Sequence, residues 1–90
     1  MPQRVVPIVN RLGMHARAAA KFVGLASQFQ ADVFVSRNER EVNGKSIMGV
    51  MMLAAAKGTE ITIRTDGSTD ADTALDALCE LVANRFGEDQ

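Results

Sequence analysis

Two strand-like segments of this chain, Asp32 to Ser36 and Glu60 to Thr65, put successive side chains on alternate faces with an apolar side, and nothing else in the sequence restricts the fold as strongly. A strand that is apolar on one side needs that side covered and can leave the other to water. Glu60 to Thr65 is the clearest case, with Ile61 and Ile63 separated by polar neighbours. Asp32 to Ser36 places Val33 and Val35 on one side and Phe34 on the other, and Arg40 to Asn43 returns after Arg37-Asn38-Glu39, which predicts a hairpin. Arg4 to Val9 is a β-branched run interrupted by Pro7. Proline lacks an N–H and is tolerated mainly at a sheet margin, so this run is predicted as an edge strand.

Three other stretches show helical spacing. From Ala16 to about Phe29, Ala19, Phe22, Val23, Ala26 and Phe29 share one face, with Gly24 as a weak point. Ser46 is placed to cap a second helix, in which Ile47, Val50, Met51 and Ala54 form one stripe and Met48, Met52 and Ala55 another, closed by Lys57-Gly58. Thr69, with Asp72 three residues on, resembles a capping box opening a third helix whose buried stripe is Ala71, Ala74, Leu75, Leu78, Leu81 and Val82. The predicted order is β-α-β-β-α-β-α over residues 1–90 as one domain. The expected class is α/β (α+β): a two-layer sandwich with three helices on one face of a four-stranded sheet. Periodicity leaves the strand order open, and a ferredoxin-like sheet satisfies the same pattern.

Composition narrows the function. Ten basic and eleven acidic residues give a net charge of −1, which provides no basic field for nucleic acid. The longest apolar run, residues 47–56, is too short to cross a bilayer, and Met1-Pro2-Gln3-Arg4 lacks a secretory apolar core, so a cytoplasmic protein without membrane insertion is expected. Cys79 is the single cysteine, which excludes an internal disulfide and predicts a small apolar packing role.

The chemistry-bearing segment is Leu-Gly-Met-His-Ala-Arg-Ala-Ala-Ala, residues 12–20, with the chain's one histidine after a glycine turn and before a run of helix formers. A helix start carries N–H groups without intrahelical partners and about half a positive charge, and it attracts phosphate. Imidazole exchanges its proton near neutral pH and offers a ring nitrogen as nucleophile. Arg17 adds a planar fork of donors, and the backbone N–H groups of Ala16 and Arg17 complete a candidate phosphoryl cradle that needs no metal or cofactor. The plainer alternative is that His15 caps the helix and Arg17 is a solvated charge. Gly44-Lys45-Ser46 looks like the end of a P-loop, but position 39 holds Glu39 where that motif needs glycine. Ser46 as a helix cap is compatible with Ser46 as a place where added phosphate would repel an acidic partner. Met48 and Met52 lie outside the predicted core stripe of Ile47, Val50 and Met51, and Met14 and Phe22 are placed to extend them into a docking patch, with ordinary core packing as the plainer account of any one of them.

Residues 12–17, Lys-Ser-Ile-Met-Gly-Val at 45–50 and Ala-Lys-Gly at 56–58 resemble the HPr family, the phosphocarriers of the phosphoenolpyruvate-dependent phosphotransferase system. The resemblance implies an open-faced β-sandwich with antiparallel strands in the order 1-4-2-3 and three helices on one face. It further implies that His15 takes phosphate on Nδ1 from enzyme I and passes it to a IIA domain, with Arg17 as the phosphate-contacting arginine. Ser46 would be the target of an HPr kinase/phosphorylase, and Ile47, Met48, Met51 and Met52 would lie on the docking helix. Two departures stand out. Ala18 replaces the family's usual proline and restores an N–H in the first turn. Leu12 stands where sugar-type members often carry a small polar residue, and the 12–17 motif is also similar to that of the nitrogen-related paralogue NPr. The expected state is a monomeric carrier. Two other readings are an NPr-like or purely regulatory protein whose phosphorylation changes its partners, and an acylphosphatase-like hydrolase, whose early glycine-rich phosphate loop is missing here.

Overall fold

The computed structural model describes residues 2–90. Its elements in chain order are β1 (Gln3–Pro7), α1 (Ala16–Ala26), β2 (Asp32–Arg37), β3 (Arg40–Asn43), α2 (Ile47–Met52), β4 (Glu60–Asp66) and α3 (Ala71–Ala83), followed by a 3₁₀ turn at Arg85–Gly87. The four strands form one antiparallel sheet in the order β1-β4-β2-β3. β1 is an edge strand, and Pro7 is its last residue, paired with Glu60. The sandwich class and strand order implied by the resemblance are therefore those observed.

The alternation works as the pattern demands. Val6, Val33, Val35, Ile61 and Ile63 are buried under the helices with Phe22, Val50, Leu78, Val82 and Phe86. Each such side chain contributes about 1.5–3 kcal/mol relative to exposure. Among the described residues no helix lies over the opposite side of the sheet. There the Arg64 guanidinium lies 4.2 Å from the centre of the Phe34 ring and donates to Glu41 Oε1 at 3.0 Å. β2 and β3 join through Asn38 and Glu39, both at positive φ (51° and 69°), the two-residue geometry that matches the natural twist of a hairpin.

The structure corrects several helix boundaries. α1 stops at Ala26, short of Phe29, because Gln28 N–H and Phe29 N–H bond to the carbonyls three residues back and tighten the chain into a turn. Gly24 interrupts nothing. α2 ends at Met52, before Lys57-Gly58: Leu53 and Ala54 close it with the same tight bonds, Ala54 turns to φ 50°, and the Ala55 carbonyl leaves to accept from Met14 N–H at 2.9 Å. One and a half turns cannot present a whole stripe inward. Val50 is buried, whereas Ile47 and Met51, predicted as core-facing, are 43% and 39% exposed.

At α3 the N-cap position belongs to Asp70, and Thr69 does not serve as the predicted cap. Its carbonyl accepts from Ala74 N–H at 2.8 Å, but its side chain makes no capping bond to the helix. Its carboxylate accepts from Gln30 N–H (2.8 Å) and Ala31 N–H (3.0 Å), fastening the start of α3 to the segment entering β2. Those bonds, Gln30's first, hold the Asp70 carboxyl below its usual range. On the inner face Cys79 takes the buried place predicted for Leu81, which is only partly covered. Burial pushes the Cys79 thiol up, as for an unreactive packing residue.

Candidate functional site

Gly13 sets the site's geometry. Its φ is 66°, a region glycine enters freely, and a Cβ there would lie 2.5 Å from the Ala55 carbonyl oxygen. The turn brings the chain to His15, which occupies the N-cap of α1 with extended backbone (φ −76°, ψ 178°). Its carbonyl accepts the first helical bond, from Ala19 N–H at 2.8 Å. The N–H groups of Ala16, Arg17 and Ala18 thus belong to the first turn, where no helical acceptor exists. His15 is thus the N-cap residue of α1, but its ring makes no capping bond.

The ring turns instead to the other end of the chain. His15 Nε2 bonds to Glu88 Oε2, and the side chains of His15 and Glu88 are 26% and 14% exposed. Among the described residues nothing bonds to Nδ1. Glu88 Oε1 accepts from Asn10 Nδ2 at 2.9 Å, and the same amide donates to Gly13 O at 2.8 Å. The Asn10 bond is the main influence holding the Glu88 carboxyl below its usual range. Partial desolvation opposes it, and the His15 ring and the Lys21 ammonium add to it.

Arg17 is exposed and, among the described residues, makes no hydrogen bond or ion pair. It lines a groove of about 380 Å³ with Arg11, Leu12, Glu88 and Gln90, so two guanidiniums and the carboxylate partner of His15 share one concavity. Arg11 is tethered there by a 2.8 Å bond to Gln90 Oε1. A larger depression of about 680 Å³, between β1, β4 and the Asn38–Glu39 turn, contains no histidine or arginine pair of this kind.

Ser46 stands apart from His15 in sequence, at the N-cap of α2, where its Oγ accepts from Gly49 N–H at 3.0 Å. α2 packs against α1 and displays Met48 (72% exposed) and Met52 (60%) along with Ile47 and Met51. Met14 does not join this patch. It is 5% exposed and Phe22 is fully buried, because the Met14 N–H bond to Ala55 draws that segment into the core. Leu12, singled out in the sequence as a departure from sugar-type members, is 65% exposed at the groove.

Glu88, Asn10 and Arg11 were also missed. Glu88 lies 73 residues from His15 in a segment without periodicity, so no local pattern announces the pairing. The one available signal is Phe86-Gly87 after α3, an aromatic and a glycine that together mark an anchored turn.

An antiparallel open-faced sandwich with a histidine at a helix start, its Nδ1 unpartnered among the described residues and Arg17 two residues on, is the arrangement of a small phosphocarrier. Residues 2–84 match the family described as the PTS HPr component phosphorylation site. The chain is 57% identical over 88 residues to the phosphocarrier protein HPr of Cupriavidus necator, covering 98% of each chain. It is 44% identical over 86 residues to the phosphocarrier protein NPr of Shewanella violacea, covering 96% of this chain and 93% of that one. The crystal structure of HPr-C-His from Thermoanaerobacter tengcongensis superposes with a TM-score of 0.94 at 38% identity, covering all of both chains. The chain belongs to the HPr family of phosphocarrier proteins of the phosphotransferase system.

Proposed function

We propose that the chain is a phosphoryl shuttle in which His15 Nδ1 accepts phosphate from phosphorylated enzyme I and surrenders it to a IIA domain. The observation that carries this reading is the ring's engagement through Nε2 alone, which leaves Nδ1 unpartnered at the start of α1. Arg17 and the N–H groups of Ala16, Arg17 and Ala18 would hold the phosphoryl oxygens, charge-assisted bonds that stabilise the group without shielding its P–N bond. Ala18 supplies a first-turn N–H that proline would delete. The exposed Ile47, Met48, Met51 and Met52 would seat both partners on one adaptable apolar face.

Ser46 would act as a switch through an HPr kinase/phosphorylase. Its phosphate would carry roughly −1.5 to −2 charge at the edge of that face and repel an acidic partner while leaving the cap intact. The protein would work as a cytoplasmic monomer without cofactor, metal or nucleic acid. Among the described residues no helix is long and apolar enough to cross a membrane. An NPr-like or purely regulatory role is the second reading, favoured by Leu12 and by the NPr relative.

Incubation with enzyme I and labelled phosphoenolpyruvate should load one acid-labile phosphate per chain, and none on His15→Ala. A cognate IIA domain should then strip the label. Retention of the label would sink the relay in favour of the regulatory reading. Ser46→Asp should slow loading, and an unchanged rate would dismiss the switch.

A further inference from the structure

We propose that Glu88 is a positioning residue for phosphoryl acceptance: its carboxylate keeps the proton of His15 on Nε2, presents Nδ1 as the nucleophile, and balances the positive charge the ring acquires. The proposal deepens the relay reading and rests on it. A carboxylate only accepts, so a bond between Glu88 Oε2 and Nε2 places the proton of the neutral ring on Nε2 and the free lone pair on Nδ1.

The carboxylate is itself held from several directions. Oε1 takes the Asn10 amide at 2.9 Å, and Asn10 is fully buried and tied to Gly13, inside the turn that delivers His15. Two residues before Glu88, Phe86 is fully buried and its carbonyl accepts from Lys21 Nζ at 2.8 Å. The tail that carries Glu88 is thus anchored to both the loop before α1 and α1 itself.

The step balances without another reactant. The Nδ1 lone pair forms the new P–N bond while the bond that held the phosphoryl group on phosphorylated enzyme I breaks, its electron pair staying with the donor atom. The Nε2 proton stays on His15, so the product is an N-phosphorylated imidazolium. That cation faces Glu88, and the phosphoryl oxygens face the opposite side of the ring. The charged groups around the ring sort accordingly. Arg11 and Arg17 line the groove, Lys21 lies beside the tail, and Glu88 is the one acid among the groove-lining residues.

The test uses the full chain with selectively ¹⁵N-labelled histidine, in wild type, Glu88→Gln and Glu88→Ala. In the wild type the neutral ring should carry its proton on Nε2, with a protected downfield Nε2–H resonance. Glu88→Ala should lose that resonance to solvent exchange and load phosphate from enzyme I about tenfold more slowly, the scale of losing a residue that orients a working imidazole. Glu88→Gln keeps an oxygen for Nε2–H but no charge. It should retain the resonance and recover part of the rate, which a purely structural role of the tail would not produce. A wild-type ring protonated on Nδ1, or a Glu88→Ala chain with resonance and loading rate unchanged, would overturn the assignment. Failure of the wild type to load phosphate at all would overturn the relay reading instead, and the resonance would still decide where the proton sits.

Discussion

At Gly13 a side chain is excluded twice, by the positive φ and by the Ala55 carbonyl. The Met14–Ala55 bond that follows fixes where α1 begins, and so where the imidazole stands. Gly13→Ala should therefore cost at least about 1–3 kcal/mol from backbone strain alone, read as a lower urea midpoint with unchanged slope. At this scale the sequence was informative about chemistry and silent about partners. The histidine, the arginine and the helix start are neighbours in the chain, so a nine-residue window contains them. Glu88 and Asn10 reach His15 only through tertiary structure, and Met14, flanking the histidine and offered for the docking patch, is buried, because burial depends on what lies opposite.

Among the elements, the shortest ones carry the most consequence. The Arg85–Gly87 turn holds three successive positive φ values, 58°, 54° and 78°, two of them at residues other than glycine. Such a conformation persists only where the surroundings impose it, and here the buried Phe86 ring and the Lys21 bond to its carbonyl do so. Phe86→Ala should lower stability by roughly 3–5 kcal/mol. The same change should speed amide exchange at Gly87 and Glu88, whose N–H groups bond to Asn84 and Arg85; exchange unchanged at those two amides would refute the anchoring role. Periodicity identified β2, β4, α1 and α3, which are long enough to repeat their pattern, while β1 was legible from its β-branched run, β3 from its hairpin turn and α2 from Ser46 and its apolar stripes. It misplaced the ends of α1 and α2, where tight three-residue bonds and a carbonyl diverted to Met14 decide termination, and it gave Asp70's place to Thr69 because a carboxylate clasping Gln30 and Ala31 looks locally like no cap at all.

For the molecule as a whole, two carboxylates link stability to pH. Asp70 and Glu88 both ionise more readily folded than unfolded, through the bonds from Gln30 N–H and Asn10 Nδ2 respectively. Their contribution is fully present above the unfolded values, about 3.9 for Asp and 4.3 for Glu, and is lost as pH falls through the depressed folded values. Urea midpoints measured from pH 6 down to pH 2.5 should fall below about pH 4, and Asp70→Asn should make the fall shallower; an identical slope in the variant would show that the clasp is not linked to protons. Strand order is the global property that alternation could not supply, since several sheets bury the same stripes, and it was the family motifs at 12–17 and 45–50 that singled out 1-4-2-3.

The bare side of that sheet has its own logic. With the Arg64 guanidinium set over Phe34 and steadied by Glu41, the aromatic ring meets water through a hydrated cation. An aromatic on the uncovered face is thus dressed by its cross-strand neighbour instead of by a second coat of helices.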